Sequence, residues 1–315
     1  MKVVTSAQMR EIERAAEERG VSLDDLARRA GKSLANLVQN DALDGRVLVL
    51  VGPGNNGKDG ILCVDALQER GLRPIVYSVL RAAIPSETPH HIRAEDDEDQ
   101  TQLREILSTR VVIVDALLGV GQNRAPEGLL ASVIKTVNSD QSDSTLVVAA
   151  DIPTGVNADT GAVPGVAIRA NLTVAMGFVK LGTALYPGAE YAGHVLVDHL
   201  GLDPNLVDLF RINVPGEDEI RELLPVRKAA SNKGSSGRML MIGGSRDFVG
   251  APVLAGLAAY RAGAGLVEIA VPASIQPSVA SHALEPIYRS LPDVNGTLGT
   301  DAVPIIRAAL GHARA

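Results

Sequence analysis

The segment Gly52-Pro-Gly-Asn-Asn-Gly-Lys-Asp-Gly60 leaves a continuous apolar run and enters a helical pattern. That setting suits phosphate binding: glycines let the backbone come close, and a helix N-terminus offers free N–H groups to an anion. A plain tight turn is the bland alternative. Gly52-x-Gly54-x-x-Gly57 matches a dinucleotide fingerprint, which expects an acid at the end of the next strand for a ribose. That strand ends Tyr77-Ser78-Val79-Leu80-Arg81 without one, so a standard NAD dehydrogenase is disfavoured. Gly52-x-x-x-x-Gly57-Lys58 also matches a P-loop, but Asp59 stands where Ser or Thr would ligate Mg²⁺. Neither pattern accounts for the adjacent Asn55 and Asn56, whose amides suit polar readout of a ligand or the offer of carbonyl oxygens to a cation.

Two further stretches carry acids. Arg110–Arg124 reads as a strand ending in Asp115 followed by a glycine-rich loop, and Thr145–Gly155 as a strand ending in Asp151 before Pro153, Thr154 and Gly155. An Asp at a strand end is often only a cap for the following helix. Two such carboxylates and a glycine loop at the ends of three strands coincide with the place where doubly wound sheets bind ligands. Lys180 follows a fourth strand and reads equally well as a surface lysine. The six histidines show no zinc-ligand spacing, and no nucleophile elbow or Cys–His pattern stands out.

The elements that must position these groups are legible as an alternation. Helical patterns are expected at Ser6–Arg19, with Ser6 as N-cap, and at Ser22–Asn40. Short apolar runs at Arg46–Gly52, Pro74–Val79, Arg110–Asp115, Thr145–Asp151 and Leu172–Met176 read as buried strands, with His194–Asp198 a further edge strand. Helices are expected at Asp59–Gly71 and Pro126–Asn138, the latter with Pro126 at its first position. The implied fold is α/β: a Rossmann-like, doubly wound, mainly parallel sheet. The acidic run Glu95–Asp99 reads as a solvated loop or helix start. After a polar connection around Asn213–Glu219, a second unit reads as a helix near Asp218–Leu224, a strand at Arg238–Ile242, a helix at Gly250–Ala262 and a strand at Leu266–Val271.

Composition sets the outer limits. At 315 residues and 46% hydrophobic, the chain has material for about two domains. A net charge of −7 and 3% aromatics with no Trp disfavour nucleic-acid binding and adhesion to an anionic membrane. No apolar run is long enough to span a bilayer, and the opening residues do not read as a signal peptide. With a lone cysteine, Cys63, this points to a reducing, cytoplasmic setting.

Taken together, Leu50-Val-Gly-Pro-Gly-Asn-Asn-Gly-x-Asp-Gly60, Val114-Asp-Ala-Leu-Leu-Gly-Val-Gly121, Asp151-Ile-Pro-Thr-Gly-Val156 and Asp159-Thr-Gly161 resemble the NAD(P)H-hydrate epimerase (YjeF N-terminal) family over about residues 5–205. Residues 231–267 resemble the start of the ADP-dependent NAD(P)H-hydrate dehydratase domain, which has a ribokinase-like fold. The resemblance implies an epimerase domain over 1–213 and the N-terminal, incomplete part of a dehydratase domain over 214–315. The Gly-Thr-Gly-Asp motif of that domain is absent, and Gly296-Thr-Leu-Gly-Thr300 only echoes it. ADP or ATP with Mg²⁺ would therefore be used only by a complete form, and the unit is expected to be inactive alone, less stable and prone to self-association.

The resemblance also implies roles. Asn55, Asn56, Gly57, Lys58 and Asp59, with Gly119, Val120, Gly121, Gln122, Asn123, Arg124 and Ala125, would hold the phosphates and ribose of a hydrated dinucleotide. Asn56, Asp115 and Thr154 would bind K⁺; the family usually has Ser at position 154. Asp151 would contact the substrate near the reacting carbon and act as the acid/base, with Lys180 assisting. Lys58 stands where the family has a second Gly, and Ala27-Arg28-Arg29-Ala30-Gly31 where it often has Met-Glu-Asn-Ala-Gly. The expected activity is epimerisation of R and S NAD(P)H hydrates at C6 of the nicotinamide, by a homo-oligomer acting on a small molecule. A non-catalytic nucleotide-binding module and a P-loop-type kinase are the alternatives.

Overall fold

The computed structural model describes the chain apart from residues 1, 42–45, 81, 87, 89, 110, 141–144, 208, 209, 227, 228 and 312–315. Arg110, which opens one expected strand, and His312 therefore lie outside the described residues. The chain divides into two compact units, Met1–Glu217 and Asp218–Ala315.

The first unit runs β1 (Val3–Val4), α1 (Ser6–Glu18), α2 (Leu23–Val38), β2 (Val47–Val51), α3 (Asn55–Gln68), β3 (Ile75–Ser78), β4 (His91–Arg93), α4 (Thr101–Leu107), β5 (Val112–Ala116), α5 (Gly128–Asp140), β6 (Leu146–Ala150), β7 (Leu172–Met176), β8 (Val179–Lys180), α6 (Leu181–Ala184), α7 (Gly188–Ala192) and β9 (His194–Asp198). Seven strands form one parallel sheet in the order β4-β3-β2-β5-β6-β7-β9. Alternation along β2 explains its continuous apolar run. Val47, Val49 and Val51 enter a core shared with α1, α2 and α3, while Leu48 and Leu50 enter a second core shared with α4 and α5. Strand order reverses between β2 and β5, so a crevice opens at their carboxyl ends, where Gly52 and the loop after Asp115 lie. A short parallel pair, β1 with β8, matches Val4 to Lys180.

Several expectations shift. The N-cap of α1 is Thr5, in a capping box with Gln8, and Ser6 lies in the first turn. Helix α3 begins at Asn55 rather than Asp59, so the Asn-Asn pair is helical. Helix α5 begins at Gly128, leaving Pro126 in the turn before it. The acidic run is not wholly solvated. Asp97 is buried, accepting hydrogen bonds from Tyr77 Oη at 3.2 Å and from the Gln102 and Leu103 N–H groups at 3.1 Å, which caps α4. β4, β1 and β8 are too short for periodicity to reveal.

The second unit comprises α8 (Glu217–Leu223) from its second residue on, β10 (Arg238–Ile242), α9 (Gly250–Ala262), β11 (Leu266–Pro272), α10 (Gln276–Ala280), β12 (Ile287–Leu291), the hairpin β13 (Asp293–Val294) and β14 (Thr297–Leu298), and α11 (Val303–Leu310). Its parallel sheet, β10-β11-β12, has one strand more than the sequence pattern suggests. Across it, buried Glu268 accepts from Arg238 at 2.6 Å and from Arg289, and these guanidiniums hold its carboxyl below the usual range.

Candidate active site

Glycine at 52 and 57 is a packing requirement. A Cβ on Gly57 would lie 1.9 Å from the Gly52 carbonyl oxygen, and one on Gly52 would lie 1.7 Å from that of Leu117. Gly57 therefore serves the close approach of α3 to its strand. Asn55 is exposed on the first turn of α3, whose N-cap is Gly54.

Asn56, Asp115 and Thr154 converge on the backbone at Leu117–Leu118. Asp115 is fully buried in β5. Its carboxylate accepts from Thr154 N at 2.8 Å, Thr154 Oγ1 at 2.7 Å and Leu117 N at 3.3 Å. Thr154 Oγ1 in turn accepts from Leu118 N at 3.0 Å, and Asn56 Nδ2 donates to Leu118 O at 3.0 Å, which leaves Asn56 Oδ1 for another partner. Burial pushes the Asp115 carboxyl up to about 6, against the pull of these donors. Among the described residues no cationic side chain pairs with it. An all-oxygen set of carboxylate, hydroxyl, carboxamide and the Leu118 carbonyl around an uncompensated buried acid fits a hard monovalent cation. No cluster of three or more His, Cys, Asp or Glu suited to a metal occurs among the described residues.

The second centre is the Asp151–Lys180 pair. Lys180, far from being a surface residue, is 1% exposed. Its Nζ donates to Asp151 Oδ1 and, at 2.6 Å, to Met176 O; Met176 N donates to the same Oδ1 at 2.9 Å. Asp151 has φ 66° and sits in a three-residue turn closed by Ile152 N to Ala150 O at 2.8 Å. Gly177, at the end of the neighbouring strand, has φ 75° and the same closure, Phe178 N to Met176 O at 3.0 Å. Such turns are rare and strained, and a non-glycine residue in one points to a held functional side chain.

Asp59, on the second turn of α3, is half-buried, and the Asp151 and Lys180 charges act on it. Burial above all, then the Asp151 charge, pushes its carboxyl up to about 8, against Lys180 and Lys58. Glu13 of α1 is raised too, by burial first, with Lys180 the strongest charge acting on it; its sequence gives no signal beyond an acid on an apolar stripe.

Other expected ligand groups have structural work. Lys58 Nζ pairs with Asp24 of α2 at 2.5 Å. Gln122 spends its carboxamide on the neighbouring turn: Nε2 donates to Val156 O at 2.9 Å and Oε1 accepts from Gly155 N at 2.7 Å. Val120 packs with Ile152, Val156 and Ala167. Gly119 lies against Asn56, where a Cβ would come within 3.2 Å of the Asn56 Cβ. Gly121, Asn123 and Arg124 are exposed and Ala125 half-buried on the rim. Arg29 donates to Leu200 O at 2.6 Å, an anchor for α2. Cys63 is buried and its thiol is pushed up to about 12, a packing residue.

Among the described residues no helix is long and apolar enough to cross a membrane. The model for the YjeF-related protein N-terminus matches residues 23–182, and that for NAD(P)H-hydrate dehydratase matches residues 239–309. The chain is 36% identical over 312 residues to the bifunctional NAD(P)H-hydrate repair enzyme Nnr of Thermofilum pendens, covering 95% of this chain and 59% of that protein. It is 33% identical over 330 residues to the enzyme of the same name from Moorella thermoacetica, covering 96% and 60%. The chain thus spans about six-tenths of the length of these relatives. A crystal structure of the yeast protein ynu0 (YNL200c) superposes with a TM-score of 0.56 at 22% identity, covering 69% of this chain and 97% of that one, which shows the shared Rossmann-like fold. The chain belongs to the YjeF N-terminal family, with a stretch of NAD(P)H-hydrate dehydratase type following that domain.

Proposed function

We propose that the first unit epimerises hydrated NADH or NADPH at C6 of the nicotinamide ring, as a step of metabolite repair. The observation that carries this reading is the Asp151–Lys180 pair at the end of β6, its lysine buried, in a family member whose relatives are named as NAD(P)H-hydrate repair enzymes.

The substrate carbon bears a hydroxyl and is bonded to the ring nitrogen. The hydroxyl takes a proton and departs as water while the nitrogen lone pair forms a C=N bond. Water then adds to the opposite face of the planar carbon and gives up a proton, so the balance closes with no redox change. This needs one positioned acid/base and firm orientation. Asp151 is assigned that role. Lys180 and Met176 N fix its Oδ1, which leaves Oδ2 for the proton. The first-turn N–H groups of α3 and the exposed rim at Gly121–Arg124 supply the phosphate and ribose contacts in this reading. K⁺ at Asn56, Asp115 and Thr154 would supply positive charge that links the loops after β2, β5 and β6 beside those phosphates.

Lys58 speaks against the P-loop-type alternative, because it pairs with Asp24. A non-catalytic nucleotide-binding module would have no use for a strained, ion-paired Asp151. The second unit lacks the Gly-Thr-Gly-Asp motif, so this chain by itself is proposed not to dehydrate the hydrates with ADP or ATP. Return of NAD(P)H absorbance from pure S hydrate with ADP would contradict that part. The epimerase reading is tested by chromatography of each purified hydrate epimer after incubation with the protein.

A further inference from the structure

Strand β9 ends the large sheet: β7 lies on one side of it and, among the described residues, no strand lies on the other. At one end of β9, His194 N donates to Asn171 O at 2.9 Å; at the other, Asp198 O accepts from Gly177 N at 2.7 Å. Backbone groups alternate in direction along a strand. His194, Leu196 and Asp198 therefore turn theirs to β7, and Val195 and Val197 turn theirs to the open edge. The side chains alternate too. Val195 and Val197 pack on one face with Val3, Ala175 and Val179. On the other face His194 is exposed, Leu196 is 40% exposed and Asp198 is half-buried. Sheet edges are normally blunted by shortness, a bulge, Pro or Lys. The opposite edge, β4, is three residues long and carries His91 and Arg93. β9 runs unbroken for five residues, His-Val-Leu-Val-Asp, with none of these devices.

We propose that β9 is a dimerisation edge: it pairs antiparallel with β9 of a second copy of this chain, about a two-fold axis at Leu196, and joins the two sheets into one. The strand itself selects both partner and register. Pairing about that axis sets Val195 opposite the partner's Val197 and Val197 opposite the partner's Val195, so the outward N–H and C=O groups of both strands find partners. His194 then stands opposite the partner's Asp198, and Asp198 opposite the partner's His194. Both are closer, non-hydrogen-bonded positions, about 4.5 Å apart at Cα. Leu196 meets the partner's Leu196 between these two pairs. A slip of two residues keeps the backbone bonds but loses this match, setting Leu196 against His194 in one direction and against Asp198 in the other. Opposite charges directly across a strand pair stabilise it and like charges oppose it. The edge is thus complementary to itself, as a two-fold interface requires. The inference goes beyond the epimerase reading and does not depend on it.

The test uses the whole chain. Sedimentation equilibrium over a range of protein concentrations should show monomers in exchange with dimers. Amide exchange followed by NMR should show the Val195 and Val197 N–H groups gaining protection as the dimer fills, while that of Leu196, already bonded to β7, changes little. Leu196→Lys puts two like charges at the axis from an exposed position and should leave a folded monomer. His194→Asp sets like charges opposite each other and should raise the dimer dissociation constant about tenfold or more, whereas His194→Lys keeps opposite charges and should leave it within about threefold of wild type. Leu254→Lys, on the exposed side of α9 in the second unit, is the control and should dimerise as the wild type does. A wild type that stays monomeric overturns the proposal. So does a dimer that survives Leu196→Lys, that leaves Val195 and Val197 unprotected, or that Leu254→Lys disperses. Equal weakening by His194→Asp and His194→Lys overturns the register.

Discussion

Lys180 and Asp151 are locked to each other through a single backbone unit: Met176 donates its N–H to Asp151 Oδ1 and accepts at its C=O from Lys180 Nζ. The two side chains cannot drift apart without breaking the end of β7. Since Asn tolerates the left-handed backbone of residue 151, Asp151→Asn keeps the fold and removes proton exchange. Epimerisation should slow by roughly 100-fold or more with substrate affinity largely retained. Steady-state kinetics beside a binding titration measures both. Asp159 is unsuitable as a neutral control because it holds Ser6 at the start of α1; exposed Glu190→Gln should leave the rate unchanged.

Asp59 links the site to stability. Its folded carboxyl is raised to about 8, so the folded state binds that proton more tightly than the unfolded chain does. This contribution is fully present below about pH 4 and is lost as pH rises to about 8. Asp59→Asn should remove the loss, raising Tm relative to wild type by a few degrees at pH 8 and by much less at pH 5. Thermal denaturation at both pH values checks the sign; a Tm gain confined to pH 5 would contradict it.

Gly57→Ala tests the reading that this glycine packs rather than binds. Its Cβ would sit 1.9 Å from backbone oxygen, which flexible side chains cannot relieve. A destabilisation of about 1–3 kcal/mol or more is expected in denaturant unfolding. Gly54→Ala, with open space at the Cβ position, should cost far less.

The alternation of buried strands and helices was legible because each run in the central sheet is apolar on both faces, as Val47–Val51 shows. The pattern also put Asp115, Asp151 and the Gly52–Gly60 loop at the carboxyl ends of strands, whereas the set Asn56, Asp115 and Thr154 followed only from the family resemblance. What was hidden depends on side-chain direction and on long-range packing. Lys180 reads equally well as a surface lysine or a site residue in the sequence, and its burial, in the strand that pairs with β1, decides between the two. Gln122 and Lys58 read as ligand groups because sequence does not reveal that Gly155 and Asp24 claim them.

The cation assignment rests on Asp115. In Asp115→Ala, the dependence of epimerisation on potassium should vanish and the Tm gain of the wild type on exchanging lithium for potassium chloride should disappear. Unchanged turnover of Asp115→Ala in potassium-free buffer would remove the site from Asn56, Asp115 and Thr154.

The most direct measurement is turnover of the two separated epimers of NADH hydrate and NADPH hydrate by the purified chain, without ADP or ATP, in potassium buffer, followed by chromatography. The account predicts that pure S and pure R each relax to the same mixture, with no NAD(P)H formed, and that Asp151→Asn slows the approach from both sides. Persistence of each pure epimer at its spontaneous rate in the presence of folded wild-type protein would contradict it.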